Sequence, residues 1–177
     1  MTHTSTGAVV RVGGLEDIPA IVALQARSWR TAYRGIVDDA FLDAIPIQRW
    51  VESWRAHFFA GATRCFVAEE NQRLIGFASV GKPDDVEDLE PSVAELHTIY
   101  IEADHYGLGV GHLLLETCLD HLRRERFAGV VLWVLEANQR GRGFYERAGW
   151  RPDGARAADC WGATSVARVR YRRSLQV

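Results

Sequence analysis

Three glycines at alternate positions, Gly107, Gly109 and Gly111, separate a strand-like run, Val93 to Ile101, from a helical pattern over Gly109 to Arg126. A β-branched apolar run, Val130 to Leu135, follows directly. Strand, glycine turn, helix and strand in that order have the length of a crossover unit, which places two strands side by side and parallel with a helix across one face. This feature more than any other sets the class: an α/β chain with at least one parallel strand pair at its centre.

The rest of the chain fits around that unit without a low-complexity linker or an internal repeat, so residues 1–177 read as one domain. Val9 to Val12 is a short strand. Glu16, Asp17 and Pro19 mark a helix start, and Ile18, Ile21, Val22, Leu24 and Trp29 keep a helical period behind it. A second helical region spans Asp39 to Phe59, broken near Pro46. Arg64 to Glu70 and Leu74 to Val80 read as an antiparallel hairpin about the turn Asn71-Gln72-Arg73. Gly81 to Pro91 is an acidic loop. Gln139 to Ala148 is a helix ended by Gly149, and Ser165 to Arg173 closes the chain as a strand.

Composition excludes several classes. The 21 basic and 23 acidic residues are spread along the chain and leave a net charge of -2, with no basic field for nucleic acid. No run of 18 apolar residues occurs, and Met1 to Val10 lacks a basic start before a long apolar run, so a soluble cytoplasmic protein without membrane association is expected. Cys65, Cys118 and Cys160 form no CxxC pair; reduced thiols are expected, with neither disulfide nor metal site.

Glycine at a strand-to-helix turn accepts positive φ and lets an anion approach the unpaired N–H groups of the helix start. Glycines that merely close a tight turn are the plainer alternative. A P-loop requires GxxxxGK[ST], and Lys82 is the sole lysine of the chain. A Rossmann turn requires GxGxxG in the first βα unit; this run is GxGxG beyond the middle of the chain, and dinucleotide binding stays a minor alternative.

A second stretch, EANQRGRGFYERAGWRPDG from Glu136 to Gly154, pairs with the first. Together they resemble the GNAT superfamily of acyl-CoA-dependent N-acetyltransferases, in which a strand like ELHTIYI leads to a turn of the form R/Q-x-x-G-x-G/A and a later strand leads to N-x-x-A-x-x-F/L-Y-E-x-x-G-F. Here the turn is Tyr106-Gly107-Leu108-Gly109-Val110-Gly111, and the later motif is carried by Asn138, Gly141, Phe144, Tyr145, Glu146, Gly149 and Trp150. The resemblance covers essentially the whole chain, including SWRTAYRGIVDDAFLDAI near its start.

The resemblance implies a mixed, partly antiparallel sheet of about seven strands flanked by about four helices. It implies acetyl-CoA as cosubstrate and transfer of its acetyl group to a primary amine of a small molecule or peptide. The pyrophosphate would rest on backbone amides from Gly107 through Leu108, Gly109, Val110 and Gly111 to His112. The pantetheine arm would meet the backbone of Ile99, Tyr100 and Ile101 and the side chain of Asn138. Arg142 either reaches the nucleotide phosphates or is an exposed helix arginine. Tyr106 departs from the motif's Arg or Gln, which shifts the load onto the amides; Gly141 and Gly143 weaken their helix by roughly 1 kcal/mol each. A homodimer stays open.

The chemistry sets further requirements. An alkyl amine with a pKa near that of lysine, about 10, must lose a proton before it attacks a thioester, so a general base is needed. Glu95 and His97 stand two apart on the strand before the turn, hence on the same face of a regular strand; the resemblance makes that inward face the place for a base acting through water, which favours Glu95. Both also read plainly, Glu95 as a solvated strand residue and His97 as a core histidine. Tyr145 matches the family tyrosine that protonates the departing thiolate. Trp29, Tyr33, Trp50 and Trp54, with Asp84, Asp85, Glu87, Asp88 and Glu90, would form an acidic, aromatic mouth suited to a cationic amine. A CoA-binding module without catalysis would keep the glycines and Asn138 but has no need of Glu95 or Tyr145.

Overall fold

The computed structural model describes residues 7–61, 63–84 and 88–175. Seven strands form one sheet: β1 (Val9–Val12), β2 (Thr63–Glu70), β3 (Arg73–Gly81), β4 (Val93–Ile101), β5 (Gly129–Leu135), β6 (Arg151–Trp161) and β7 (Thr164–Ser174), in the spatial order β1-β2-β3-β4-β5-β7-β6. Five helices flank it: α1 (Ile18–Ala32), α2 (Asp39–Asp43), α3 (Ile47–Ala60), α4 (Val110–Arg124) and α5 (Gln139–Arg147). Every neighbouring pair runs antiparallel except β4 and β5, the pair that α4 joins. The fold is therefore the mixed α/β sheet expected from the sequence.

Local chemistry explains the elements. Pro19 sits in the first turn of α1, where its missing N–H costs nothing, and Ile18, Ile21, Val22 and Leu24 bury one stripe of that helix. The β2–β3 hairpin turns on Asn71 and Gln72, with φ of 49° and 63°, the left-handed pair that matches the twist of the flanking strands. Along α4, Val110, Leu114, Leu115, Cys118, Leu119 and Leu122 are buried at helical spacing. They pack on Phe66, Ile75, Ala94, Leu96, Val130 and Leu132 across one face of the sheet. On the opposite face Ile21 and Leu24 of α1 join Cys65, Val67 and Phe77, with Trp54 and Phe58 of α3 over them.

The strand β6 was not legible as one. RPDGARAADCW carries no apolar alternation to mark a strand, and its side chains are mostly solvated because it is an edge strand with β7 as its one partner. Its pairing shifts register between Pro152 and Arg156, where Gly154 has φ 95°. The β6–β7 tip at Gly162 seats on α2, so closely that a Cβ there would lie 2.9 Å from Phe41 Cβ.

The central strands come apart. β4 and β5 pair over Val93↔Gly129, Ala94↔Val130 and Glu95↔Val131 only. Beyond that point β4 stays with β3 as far as Ile101↔Gly76, while β5 stays with β7 as far as Leu135↔Arg168. β4 also carries a bulge: Thr98 pairs with Ser79 and Leu96 with Val80, leaving His97 as the extra residue. The sheet thus opens into a wedge whose vertex is Glu95.

Candidate active site

The wedge is the mouth of a cleft of about 690 Å³. From the vertex outward it is lined by Glu95 and His97, then by Ile99, Tyr100 and Ile101 along the free edge of β4, by Asn138 and Tyr145 of the second motif, and by Gly107, Gly109, Gly111 and His112 of the glycine turn. Residues far apart in the sequence therefore share one channel because the strands that carry them separate.

The turn suits an anion. Gly107 and Gly109 have φ of 78° and 92°, values that side chains with a Cβ rarely take. Gly111 is closely packed: a Cβ would fall 2.6 Å from Ile101 Cδ1 and displace the end of that side chain. The first helical bond of α4 runs from Leu113 N–H to Gly109 O at 3.0 Å. The N–H groups of Val110, Gly111 and His112 therefore have no helix carbonyl to reach and lie at the positive end of the helix dipole. Leu108 is 47% exposed and the side chain of Val110 is buried in the core, so neither side chain lines the cleft.

Glu95 is buried at 8% exposure, and the Asp84 N–H donates to its Oε2 at 3.3 Å. Burial dominates and pushes its carboxyl up to about 7; the Asp84 N–H and the charges of Arg168 and Arg170 hold it down and the Asp84 carboxylate adds to the rise. His97 Nδ1 stands 3.7 Å from Glu95 Oε1 and 3.9 Å from Asp84 Oδ2, beyond hydrogen-bonding distance. Burial lowers the His97 pKa, and its Nε2 is buried without a partner among the described residues. A neutral imidazole therefore stands next to a carboxyl poised near neutrality.

Tyr145 packs edge-on against Phe144 and Trp150, with ring centroids 5.2 and 5.9 Å away. Burial drives its phenol above the ordinary range, so it stays protonated at neutral pH. Asn138 caps α5 by accepting the Gly141 N–H at 3.0 Å. Glu146 Oε1 accepts from the Tyr171 hydroxyl at 2.6 Å. Arg142, offered above as either a phosphate ligand or an exposed arginine, is neither placed in the cleft nor exposed. Its Nε donates to the Tyr171 hydroxyl at 3.1 Å and its guanidinium to Glu136 O at 3.2 Å.

The structure brings together part of the aromatic and acidic set named from the sequence. Trp29 and Tyr33 line the cleft, and Trp29 Nε1 donates to the Tyr100 hydroxyl at 2.8 Å. Trp50 packs behind Trp29 at 5.0 Å, while Trp54 lies edge-on to Phe77 in the second core. Sequence reasoning missed Trp161, stacked on Trp29 at 4.5 Å and carried by the unrecognised β6. Of the acidic loop, Asp84 reaches the cleft; Asp88 is held by Arg170 and Glu90 by Arg172, and Asp85 and Glu87 lie outside the described residues. None of the three cysteines lines the cleft, and burial pushes the Cys65 thiol up to about 12 and Cys118 higher still. No group of three metal-ligating side chains is found among the described residues, and no helix there is long and apolar enough to cross a membrane.

The sequence profile described as the acetyltransferase (GNAT) family matches residues 23–150. The chain is 32% identical to an uncharacterised N-acetyltransferase, YuaI, of Bacillus subtilis over 73% of its own length and 72% of that protein's. It is 27% identical to the mycothiol acetyltransferase of Rhodococcus opacus over 76% of its length, which is 48% of that longer protein. Among solved structures, the PaiA N-acetyltransferase of Thermoplasma acidophilum in complex with coenzyme A superposes with a TM-score of 0.75, covering 94% of this chain and 98% of that one at 16% identity, a likeness of fold.

Proposed function

The chain belongs to the acetyltransferase (GNAT) family, an acyl-CoA-dependent N-acetyltransferase with acetyl-CoA as cosubstrate, and from that premise we propose that its acceptor is a primary amine, acetylated by direct attack in the cleft between β4 and β5. The observation that carries the reading is the opening of the sheet at Glu95↔Val131, which sets a near-neutral carboxyl, a protonated tyrosine and the amide-lined glycine turn along one channel.

The thioester supplies the acetyl group. The diphosphate rests on the N–H groups at the start of α4, and the free edge of β4 from Ile99 to Ile101, with Asn138, orients the arm that leads inward. Glu95, close to half-ionised at neutral pH, takes a proton from the incoming ammonium, directly or through water; a base with a pKa near the working pH is the most effective kind. The amine nitrogen then bonds to the carbonyl carbon as the carbon–sulfur bond breaks. Tyr145 delivers a proton to the departing sulfur, its phenolate takes the second proton of the attacking nitrogen through water as the amide forms, and Glu95 releases the first proton to solvent. Direct attack is favoured over an acyl-cysteine because no thiol lies in the cleft. Trp29, Tyr33 and Trp161 with the Asp84 carboxylate favour a cationic amine at the entrance.

A thermal melt with acetyl-CoA, CoA and NAD(H) tests this. Acetyl-CoA and CoA at a hundred times Kd should each add about 2.7 kcal/mol of stability and NAD(H) nothing; stabilisation by NAD(H) alone would overturn the reading.

A further inference from the structure

The glycine turn lacks the cationic or amide side chain that its motif carries, since Tyr106 stands there. In the folded chain a cation from another element lies against that tyrosine. The guanidinium carbon of Arg140, the second residue of α5, lies 3.9 Å from the centroid of the Tyr106 ring. Both residues line the cleft beside Gly107, Gly109 and His112.

We propose that Arg140, held over the Tyr106 ring, is the phosphate-binding cation of the cosubstrate site and grips the diphosphate together with the amides of the glycine turn. The inference rests on the acetyl-CoA reading above and identifies a residue that the sequence motif does not. Three observations carry it.

The first is geometry. A guanidinium stacked on a ring uses its face and keeps its edge N–H donors free, in the planar fork that matches two oxygens of one phosphate. The second is that Arg140 has no hydrogen bond or ion pair with any described residue. Arg142, two positions on, is fully committed to Tyr171 and Glu136. The third is electrostatic. Arg140 lies in the first turn of α5, where the helix dipole disfavours a cation. An unpaired arginine there does nothing for its own helix, but beside a bound anion the same position is favourable. α4 also starts at this point, so its N–H groups and Arg140 face one anion from two sides.

The test is isothermal titration of the intact protein with CoA, with CoA lacking the ribose 3′-phosphate, and with S-acetylpantetheine, which has no phosphate at all. Arg140→Ala should weaken CoA by about ten- to a hundredfold, the range for a lost charge-assisted hydrogen-bonding group. It should weaken the 3′-dephospho ligand by the same factor and leave S-acetylpantetheine unchanged, while flattening the salt dependence of CoA affinity. Adding Tyr106→Arg to Arg140→Ala should restore most of the loss. The melting temperature of Arg140→Ala should stay within about 4 °C of the parent's, because the Tyr106 ring is the side chain's one partner among the described residues.

Unchanged CoA affinity in Arg140→Ala would overturn the proposal. So would equal loss for S-acetylpantetheine, which means a deformed cleft, or a penalty that vanishes with the 3′-phosphate, which moves the residue off the diphosphate. Parent protein that binds no CoA would instead remove the acetyl-CoA reading on which the inference stands.

Discussion

Replacing Glu95 by Gln keeps the shape of the side chain and removes its ionisation, and the structure says how large two separate effects should be. In the folded chain the carboxyl titrates at about 7 against 4.5 for the free side chain, chiefly because burial disfavours the anion. At about 1.4 kcal/mol per tenfold, that difference corresponds to about 3 kcal/mol. A carboxyl whose folded pKa is raised binds its proton more tightly in the native state, so its cost to stability is absent below about pH 4.5, grows between pH 4.5 and 7, and is complete above 7. Glu95→Gln should therefore leave stability unchanged near pH 4 and raise it by up to about 3 kcal/mol at pH 8, some 6–10 °C in melting temperature.

The neighbours titrate or carry charge as well. The lowered pKa of His97 makes the native state bind fewer protons and acts in the opposite direction, and the neighbouring Arg168 and Arg170 contribute positive charge. The quantity to measure is thus the difference between variant and parent at each pH, from urea unfolding. Activity should move the other way: the parent's kcat/KM should climb through an apparent pKa of about 7 and level off, and the variant should lose at least about a hundredfold together with that limb. A stability difference that does not vary with pH, or a limb near 7 that survives in the variant, would refute the assignment of Glu95 as a buried base.

Tyr145→Phe removes the hydroxyl proposed as proton donor and little packing; kcat should fall by about a hundredfold or more while CoA affinity by titration stays within about twofold, and unimpaired turnover would exclude Tyr145 as the acid. Arg170, with 8% of its side chain exposed, binds Asp88 at 2.8 and 2.6 Å and Asp153 at 2.7 Å. Arg170→Ala would leave the Asp153 carboxylate, with 15% of its side chain exposed, only the Ala155 N–H as partner, so urea unfolding should register a loss of about 2 kcal/mol; a loss below about 1 kcal/mol would mean the cluster is solvated.

The legible parts of this chain were those set by short-range rules. The bounds of β4, the turn at Asn71 and Gln72, the helical stripe from Val110 to Leu122 and the break near Pro46 all follow from periodicity, turn chemistry and missing donors within a few residues. The gaps have identifiable causes. β6 pairs with a single strand and buries little, so no apolar alternation marks it, and Trp161 was lost from the site with it. The bulge that makes His97 an extra residue arises from how β3 and β4 register, which no local pattern in HTIYI encodes. Arg140 and Arg142 stand two positions apart on a helix, about 200° around its axis. Which of them faces the glycine turn is decided by how α5 docks on Tyr171 and Glu136, a tertiary outcome. Glu95 was legible as a candidate base, but its value near neutrality depends on a depth of burial visible only once the strands are in place.

The central claim is direct transfer from acetyl-CoA to a primary amine within the wedge between β4 and β5. Its most direct test is a single reaction followed three ways: thiol release, N-acetyl product, and intact protein mass at early times. The account predicts that thiol and N-acetylated amine appear together in equal amounts, only with a primary amine present, while the protein mass stays unchanged. Thiol released before any amine is added, with an acetyl group found on the protein and later passed to the acceptor, would contradict it.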